Sequence, residues 1–260
     1  MLPYSAQNVV LVAAQAAIVA LPAAGLPAWA RRFAGVSWWL VIPGSIIVVV
    51  GLLAVLPELA DGLTWLALLA IPPLAVAALG WAMRGARVAY GVVAVGAFVV
   101  ALAYVDERAG ELAALALSAL SCVTLGRLLA GATPTTWLRI GLVAMAVIDA
   151  VLVFSEGIDK ANTALIVAAP APGLPQLQFA QFDGASMGYG DLFVAGVLGG
   201  VLSREGASAR LQALACVVLL GVSLVFDLLF WAFDSLPATV PVAVVALIFG
   251  GLQGLRDARP

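Results

Sequence analysis

Trp137-Leu138-Arg139-Ile140-Gly141-Leu142-Val143-Ala144-Met145-Ala146-Val147-Ile148-Asp149-Ala150-Val151-Leu152-Val153-Phe154-Ser155 is an apolar run with one acid, Asp149, near its end. About 20 predominantly apolar residues are needed to cross a bilayer as a helix, so the run reads as a membrane span. An ionisable side chain in hydrocarbon costs at least about 2.5 kcal/mol on insertion scales, which makes Asp149 a functional residue by default. The next apolar stretch repeats the pattern. Met187-Gly188-Tyr189-Gly190-Asp191-Leu192-Phe193-Val194 sets a second acid among glycines.

Composition extends the reading to the whole chain. Hydrophobic residues make up 64% and charged residues 10%, where a soluble domain carries about 25% charged. The mean hydropathy is +1.15. The class is an all-α polytopic membrane helix bundle whose environment is the lipid bilayer. A net charge of −2 gives no basis for nucleic-acid binding. Histidine is absent, which removes Ser-His and Cys-His catalysis, the His-Glu-x-x-His zinc proteases and His-based proton relays. Cys122 and Cys216 lie in mid-stretch and read as small buried hydrophobes. Lys160, the chain's lone lysine, falls in a loop. No metal or cofactor is expected.

Scanning with the same ruler gives nine spans, at 8–28, 38–57, 63–83, 88–105, 112–131, 137–155, 185–203, 211–232 and 236–255. Ala28-Trp29-Ala30 resembles a signal-peptide cleavage site, but no basic residue precedes the first stretch and Arg31-Arg32 follow it, so a retained span is expected. Arg31, Arg32, Arg84, Arg87, Arg127, Arg139, Arg204, Arg210, Arg256 and Arg259 all fall on one side of this arrangement. The other side carries Glu58, Asp61, Asp106, Glu107, Glu111, Glu156, Asp159, Asp183 and Asp234, with Arg108 and Lys160. The positive-inside rule then puts the N-terminus outside and the C-terminus in the cytoplasm, in the cell membrane. Trp38, Trp39, Trp65, Trp81, Trp137 and Trp231 fall near span ends, as an interfacial aromatic belt would. Pro72-Pro73 reads as a tolerated kink.

Within this single membrane domain, residues 1–135 read as a five-helix scaffold and 136–260 as the part carrying the chemistry. The long 156–184 connection holds Thr163–Ala169, either a plain linker or a β-prone segment able to pair with an extended peptide. Gly184-Ala185-Ser186-Met187-Gly188 matches a nucleophile-elbow pattern, which needs a strand-to-helix turn and a histidine that this chain lacks.

The orientation places Asp149 and Asp191 at matching depth, each roughly 9 Å below the outer boundary at 1.5 Å per helical residue. Gly184, Gly188, Asp191 and Ala195 are expected on one helix face, where small residues permit close approach. Two neighbouring carboxylates in low dielectric share a proton and titrate as a coupled pair, so they act as acid and base together. Asp227 lies near the outer end of the eighth span and reads either as a hydrogen-bonded interfacial acid or as a third functional acid.

These residues resemble the presenilin and signal peptide peptidase family of intramembrane aspartyl proteases. That family carries an Asp in its sixth span, a Gly-x-Gly-Asp in its seventh and a Pro-Ala-Leu opening its ninth. Gly188-Tyr189-Gly190-Asp191 fits the second motif in full. Met187 and Gly196 are similar to the signal peptide peptidase branch, as is the orientation. Asp149 to Phe154 is similar to the stretch around the first acid, and Leu236-Pro237-Ala238-Thr239 stands where the third motif belongs. The resemblance covers mainly 140–255. It implies Asp149 and Asp191 as catalytic acids, with Gly188, Tyr189, Gly190, Pro237, Ala238 and Thr239 positioning substrate. The implied substrates are transmembrane helices with cytoplasmic N-termini.

Two positions depart from the family. Ile148 replaces the usual Tyr, whose phenol is then missing or supplied elsewhere, Tyr189 being one candidate, and Thr239 replaces the Leu. The rival reading is a proton-coupled transporter using Asp149, Asp191 and Asp227 as a relay. Gly250 to Gly254 contains a Gly-x-x-x-Gly that serves either homo-oligomer association or packing within one chain.

Overall fold

The computed structural model describes residues 4–105, 107–155, 157–168, 170–233 and 235–257. Asp106, Glu156, Ala169, Asp234 and Arg259, all used in the sequence reading, lie outside the described residues. The chain folds as a helical membrane bundle. In order it forms α1 (Ala6–Ala20), α2 (Ala28–Arg31), α3 (Val41–Val55), α4 (Leu59–Ala77), α5 (Gly91–Ala103), α6 (Arg108–Ala132), α7 (Thr135–Phe154) and α8 (Asp159–Val167). A hairpin, β1 (Phe179–Phe182) and β2 (Ala185–Gly188), then leads into α9 (Tyr189–Arg204), α10 (Ala209–Phe226) and α11 (Thr239–Asp257). Short 3-10 turns extend α3 and α5 at their starts and α10 at its end, and a π turn extends α4. Five of the described helical segments are long and apolar enough to cross a membrane: Val36–Val55, Leu59–Ala82, Arg108–Ala132, Thr135–Phe154 and Ala209–Trp231. Ala6–Ala20, Val88–Ala103 and Thr239–Gly251 are shorter apolar helices.

The centre of the bundle is α9. Every residue from Val194 to Ser203 is buried, as expected for a helix that is apolar on all sides. Its closest neighbour is α6, and glycine makes the approach possible. A Cβ on Gly196 would sit 2.2 Å from the Cys122 carbonyl oxygen, and one on Gly126 would sit 2.1 Å from the Gly196 carbonyl carbon. Small residues at such a crossing replace side-chain packing with backbone contact. The main core joins Leu11, Val19, Leu138, Leu192, Leu198, Val242 and Phe249, so the first helix and the last share one interior.

The two ends of the bundle differ in chemistry. Arg84, Arg127, Arg139 and Arg204 gather at one end, where they donate to main-chain carbonyls. Arg127 reaches Ala24, Gly25 and Trp81; Arg204 reaches Ala130, Gly131 and Thr133; Arg84 reaches Ala207; and Arg139 reaches Ala246. At the end of α6, where carbonyls lack intrahelical partners, Arg204 satisfies them while complementing the helix dipole. Arg139 also pairs with Glu205 at 2.6 Å. At the opposite end Asp183 accepts from Gln7 and Arg108, and its own N–H donates to Glu111.

Two segments differ from the sequence reading. Of the segment 163–169, Thr163 to Val167 lies in α8, whose Ala161 packs with Leu53 and Ala60. Its alanines let the short helix fit against α3 and α4, and that packing outweighs the β-preference of Ile166-Val167. The seventh helix also starts later than expected. Residues 185–188 are β2, and the helix begins at Tyr189. Phe182 pairs with Ala185 across a two-residue turn, with Asp183 at φ 48° and Gly184 at φ 85°. Positive φ at both central residues is the type I′ hairpin geometry that Asp-Gly favours.

Candidate functional site

Asp149 lies in the last turns of α7 and is 5% exposed. A lone buried carboxylate needs a donor, because leaving it unpaired costs far more than leaving a neutral group so. Thr239 supplies it: its Oγ1 donates to Asp149 Oδ2 at 2.6 Å. That length is at the short end of O–H···O hydrogen bonds. Thr239 is itself 1% exposed and opens α11 immediately after Pro237 and Ala238. The first acid is thus held from the far end of the chain, 90 residues away.

Asp191 is the third residue of α9 and is partly buried. Its Oδ2 accepts from the Gly188 N–H at 3.1 Å. An acid at this position folding back onto the N-cap amide is half of a capping box. A Cβ on Gly188 would lie 3.1 Å from that same oxygen, so the absence of a side chain lets the carboxylate come in. The expected helix-face stripe of Gly184, Gly188, Asp191 and Ala195 does not form, because the first two residues belong to the hairpin. Hairpin geometry takes over where the sequence reading extended the helix. Gly190 has a different role. A Cβ there would meet Met145 Cε at 3.5 Å, an ordinary contact, which sets the start of α9 against α7 one turn from Asp149.

These placements bring the two acids together. α7 packs against α9, with Gly190, beside Asp191, facing Met145, one turn before Asp149. Tyr189, the candidate replacement for the phenol missing at Ile148, turns the other way: its hydroxyl lies 2.7 Å from Ser121 Oγ on α6. The hydroxyl bonded to Asp149 comes from Thr239 instead. Asp227 is 6% exposed and accepts from Asn8 Nδ2 at 2.7 Å across α1 and α10, which is the hydrogen-bonded acid of the first of its two readings. Gly250 packs over the Arg139 guanidinium of the same chain, where a Cβ would clash.

One residue was missed. Gln15 lies in α1 and is 1% exposed; its Nε2 donates to the Asp191 carbonyl at 3.0 Å and to the Ala238 carbonyl at 3.1 Å. The signal was present, since Gln15 is a polar side chain between two pairs of alanines in an apolar helix. Among the described residues no group of three or more metal-ligating side chains occurs.

Comparison with protein-family models, with curated proteins and with solved structures finds no match.

Proposed function

We propose that this chain is an intramembrane aspartyl protease, hydrolysing peptide bonds within transmembrane helices, with Asp149 and Asp191 as its catalytic acids. The observation that carries the reading is the meeting of the two acids. Asp149 is buried on α7, Asp191 stands at the start of α9, and the two helices pack together with Gly190, beside Asp191, facing Met145, one turn before Asp149. Each carboxylate also has a donor that fixes it, Thr239 and the Gly188 amide.

The chemistry follows from sharing one proton. The ionised carboxylate takes a proton from water as the oxygen attacks the amide carbon. The protonated carboxyl donates to the carbonyl oxygen. Return of a proton to the nitrogen then breaks the C–N bond and releases amine and acid. Neither a covalent intermediate nor histidine is required, which suits a chain with no histidine.

The substrate's helix has to unwind before water can reach its backbone. Pro237 and Ala238 precede α11, and the hairpin ends at Gly188, so non-helical backbone leads into both Thr239 and the helix that carries Asp191. Irregular backbone at membrane depth is tolerated where it lines a cavity. In this proposal nine helices span the membrane with the N-terminus outside and the C-terminus cytoplasmic. Among the described residues, nine helices of 13 residues or more fall on the nine apolar stretches. Preferred substrates then have cytoplasmic N-termini, and the bilayer is the site of action.

The test is cleavage of a labelled helical peptide in proteoliposomes. Asp149→Asn and Asp191→Asn each abolish cleavage while the protein remains folded. Retained cleavage in either variant refutes the dyad. Proton-coupled solute flux without cleavage would favour the transporter.

A further inference from the structure

We propose that Gln15 is a positioning residue that sets how the two acids meet, by tying the backbone of Asp191 to the backbone that presents Thr239. The inference rests on the two-aspartate reading and deepens it. An amide nitrogen carries two N–H groups, and both have acceptors here, the carbonyls of Asp191 and Ala238. Ala238 is bonded in sequence to Thr239, whose hydroxyl holds Asp149. The connection therefore runs from the main chain of the second acid, through one side chain, to the group that fixes the first.

Helix capping does not explain Gln15. Carbonyls at the start of a helix are satisfied within it, and those at the end are orphaned. The Asp191 carbonyl lies in the first turn of α9, and Ala238 immediately precedes α11. Gln212, by comparison, donates from Nε2 to Gly199 within α9 at 3.0 Å and, near the end of α1, to Pro22 at 3.2 Å and Val19 at 3.5 Å. Gln15 instead spends a buried amide on two helix beginnings, which are the two places from which the acids are held. An amide left unbonded in an apolar interior is strongly disfavoured, so the length and direction of Gln15 are fixed by those two acceptors. α1 lies outside the stretch that carries the two acids, and Gln15 makes it part of the site.

The test uses the full-length protein in proteoliposomes. Gln15→Met keeps length and loses the donors; Gln15→Asn keeps the amide one methylene short of both carbonyls. A misplacement of about 1 Å at reacting groups costs up to about a hundredfold in rate. The expected result is a fall in kcat of tenfold or more per folded molecule in both variants, with KM within twofold of wild type. The Gln15→Met/Thr239→Val double variant should lose less than the product of the single losses, since both act through one connection. Unchanged kcat per folded molecule, or fully multiplicative losses, overturns the proposal.

Isotope-edited infrared absorption of the aspartates, assigned with the Asp→Asn variants, gives a readout that needs no cleavage. Gln15→Met should move the Asp149 and Asp191 carboxyl bands and leave that of Asp227 in place. Unmoved bands refute the positioning role. A wild type that cleaves nothing but whose bands move retains the positioning role and discards the protease.

Discussion

Thr239→Val isolates the bond on which the site geometry most depends. Valine matches threonine in shape, so the substitution removes a hydroxyl and leaves the packing at the start of α11. What is lost is the 2.6 Å bond from Oγ1 to Asp149 Oδ2, between groups that are 1% and 5% exposed. Hydrogen bonds to charged groups contribute about 1.5–3 kcal/mol net, and water cannot readily replace the donor at so buried an oxygen. At about 1.4 kcal/mol per factor of ten, full loss of that contribution in the transition state lowers kcat by roughly 10- to 150-fold. If the bond is equally strong in the resting enzyme, the loss appears in the melting temperature instead. The assay therefore measures both quantities: cleavage of a helical peptide in proteoliposomes, and thermal unfolding of the same preparation. Thr239→Ser restores the hydroxyl and should recover most of the activity. Wild-type kcat and wild-type melting in Thr239→Val would refute the reasoning. So would a serine variant no better than valine, because the effect would then come from packing.

Three further outcomes follow from particular contacts. Gly196→Ala places a Cβ 2.2 Å from the Cys122 carbonyl oxygen at the α6–α9 crossing; overpacking of this kind costs typically about 1–3 kcal/mol, so the melting temperature should fall, and an unchanged value would contradict the close approach. Gly188→Ala crowds the Asp191 carboxylate at 3.1 Å, whereas Gly190→Ala meets Met145 at an ordinary 3.5 Å. Gly188→Ala should therefore lower kcat more than Gly190→Ala, and the reverse order in a peptide-cleavage assay would reject this account of the glycines. Asp227→Asn keeps a partner for Asn8 in the 2.7 Å bond between α1 and α10, so cleavage should persist within about threefold, the cost being that of one altered buried hydrogen bond at most; complete loss would make Asp227 a third functional acid.

The helical membrane class and the two acids were legible because burial in hydrocarbon imposes its terms on every residue. Long apolar runs have few alternatives to helix, and the described helices of 13 residues or more fall on the runs that hydropathy marks. The hairpin was equally present in the sequence, since Asp183-Gly184 between Phe182 and Ala185 is a strong short-range turn signal. The apolar pattern from Ala185 onward competes with that signal, because it fits a continuing helix equally well. Thr163–Val167 reads locally as either linker or β-prone segment, and packing against α3 and α4 makes it helix.

By itself, then, the sequence determined the membrane environment, the positions of the helices, and the presence of two acids whose burial needs a reason. Those properties are local, since each follows from the polarity of a stretch about 20 residues long. Tertiary structure decided what each acid touches. Thr239 reaches Asp149 across 90 residues, and Gln15 reaches Asp191 across 176 and Ala238 across 223. No period or motif encodes such pairs, because they depend on how whole helices pack. That packing rests on backbone contact at Gly126 and Gly196, and only the assembled bundle brings those surfaces together.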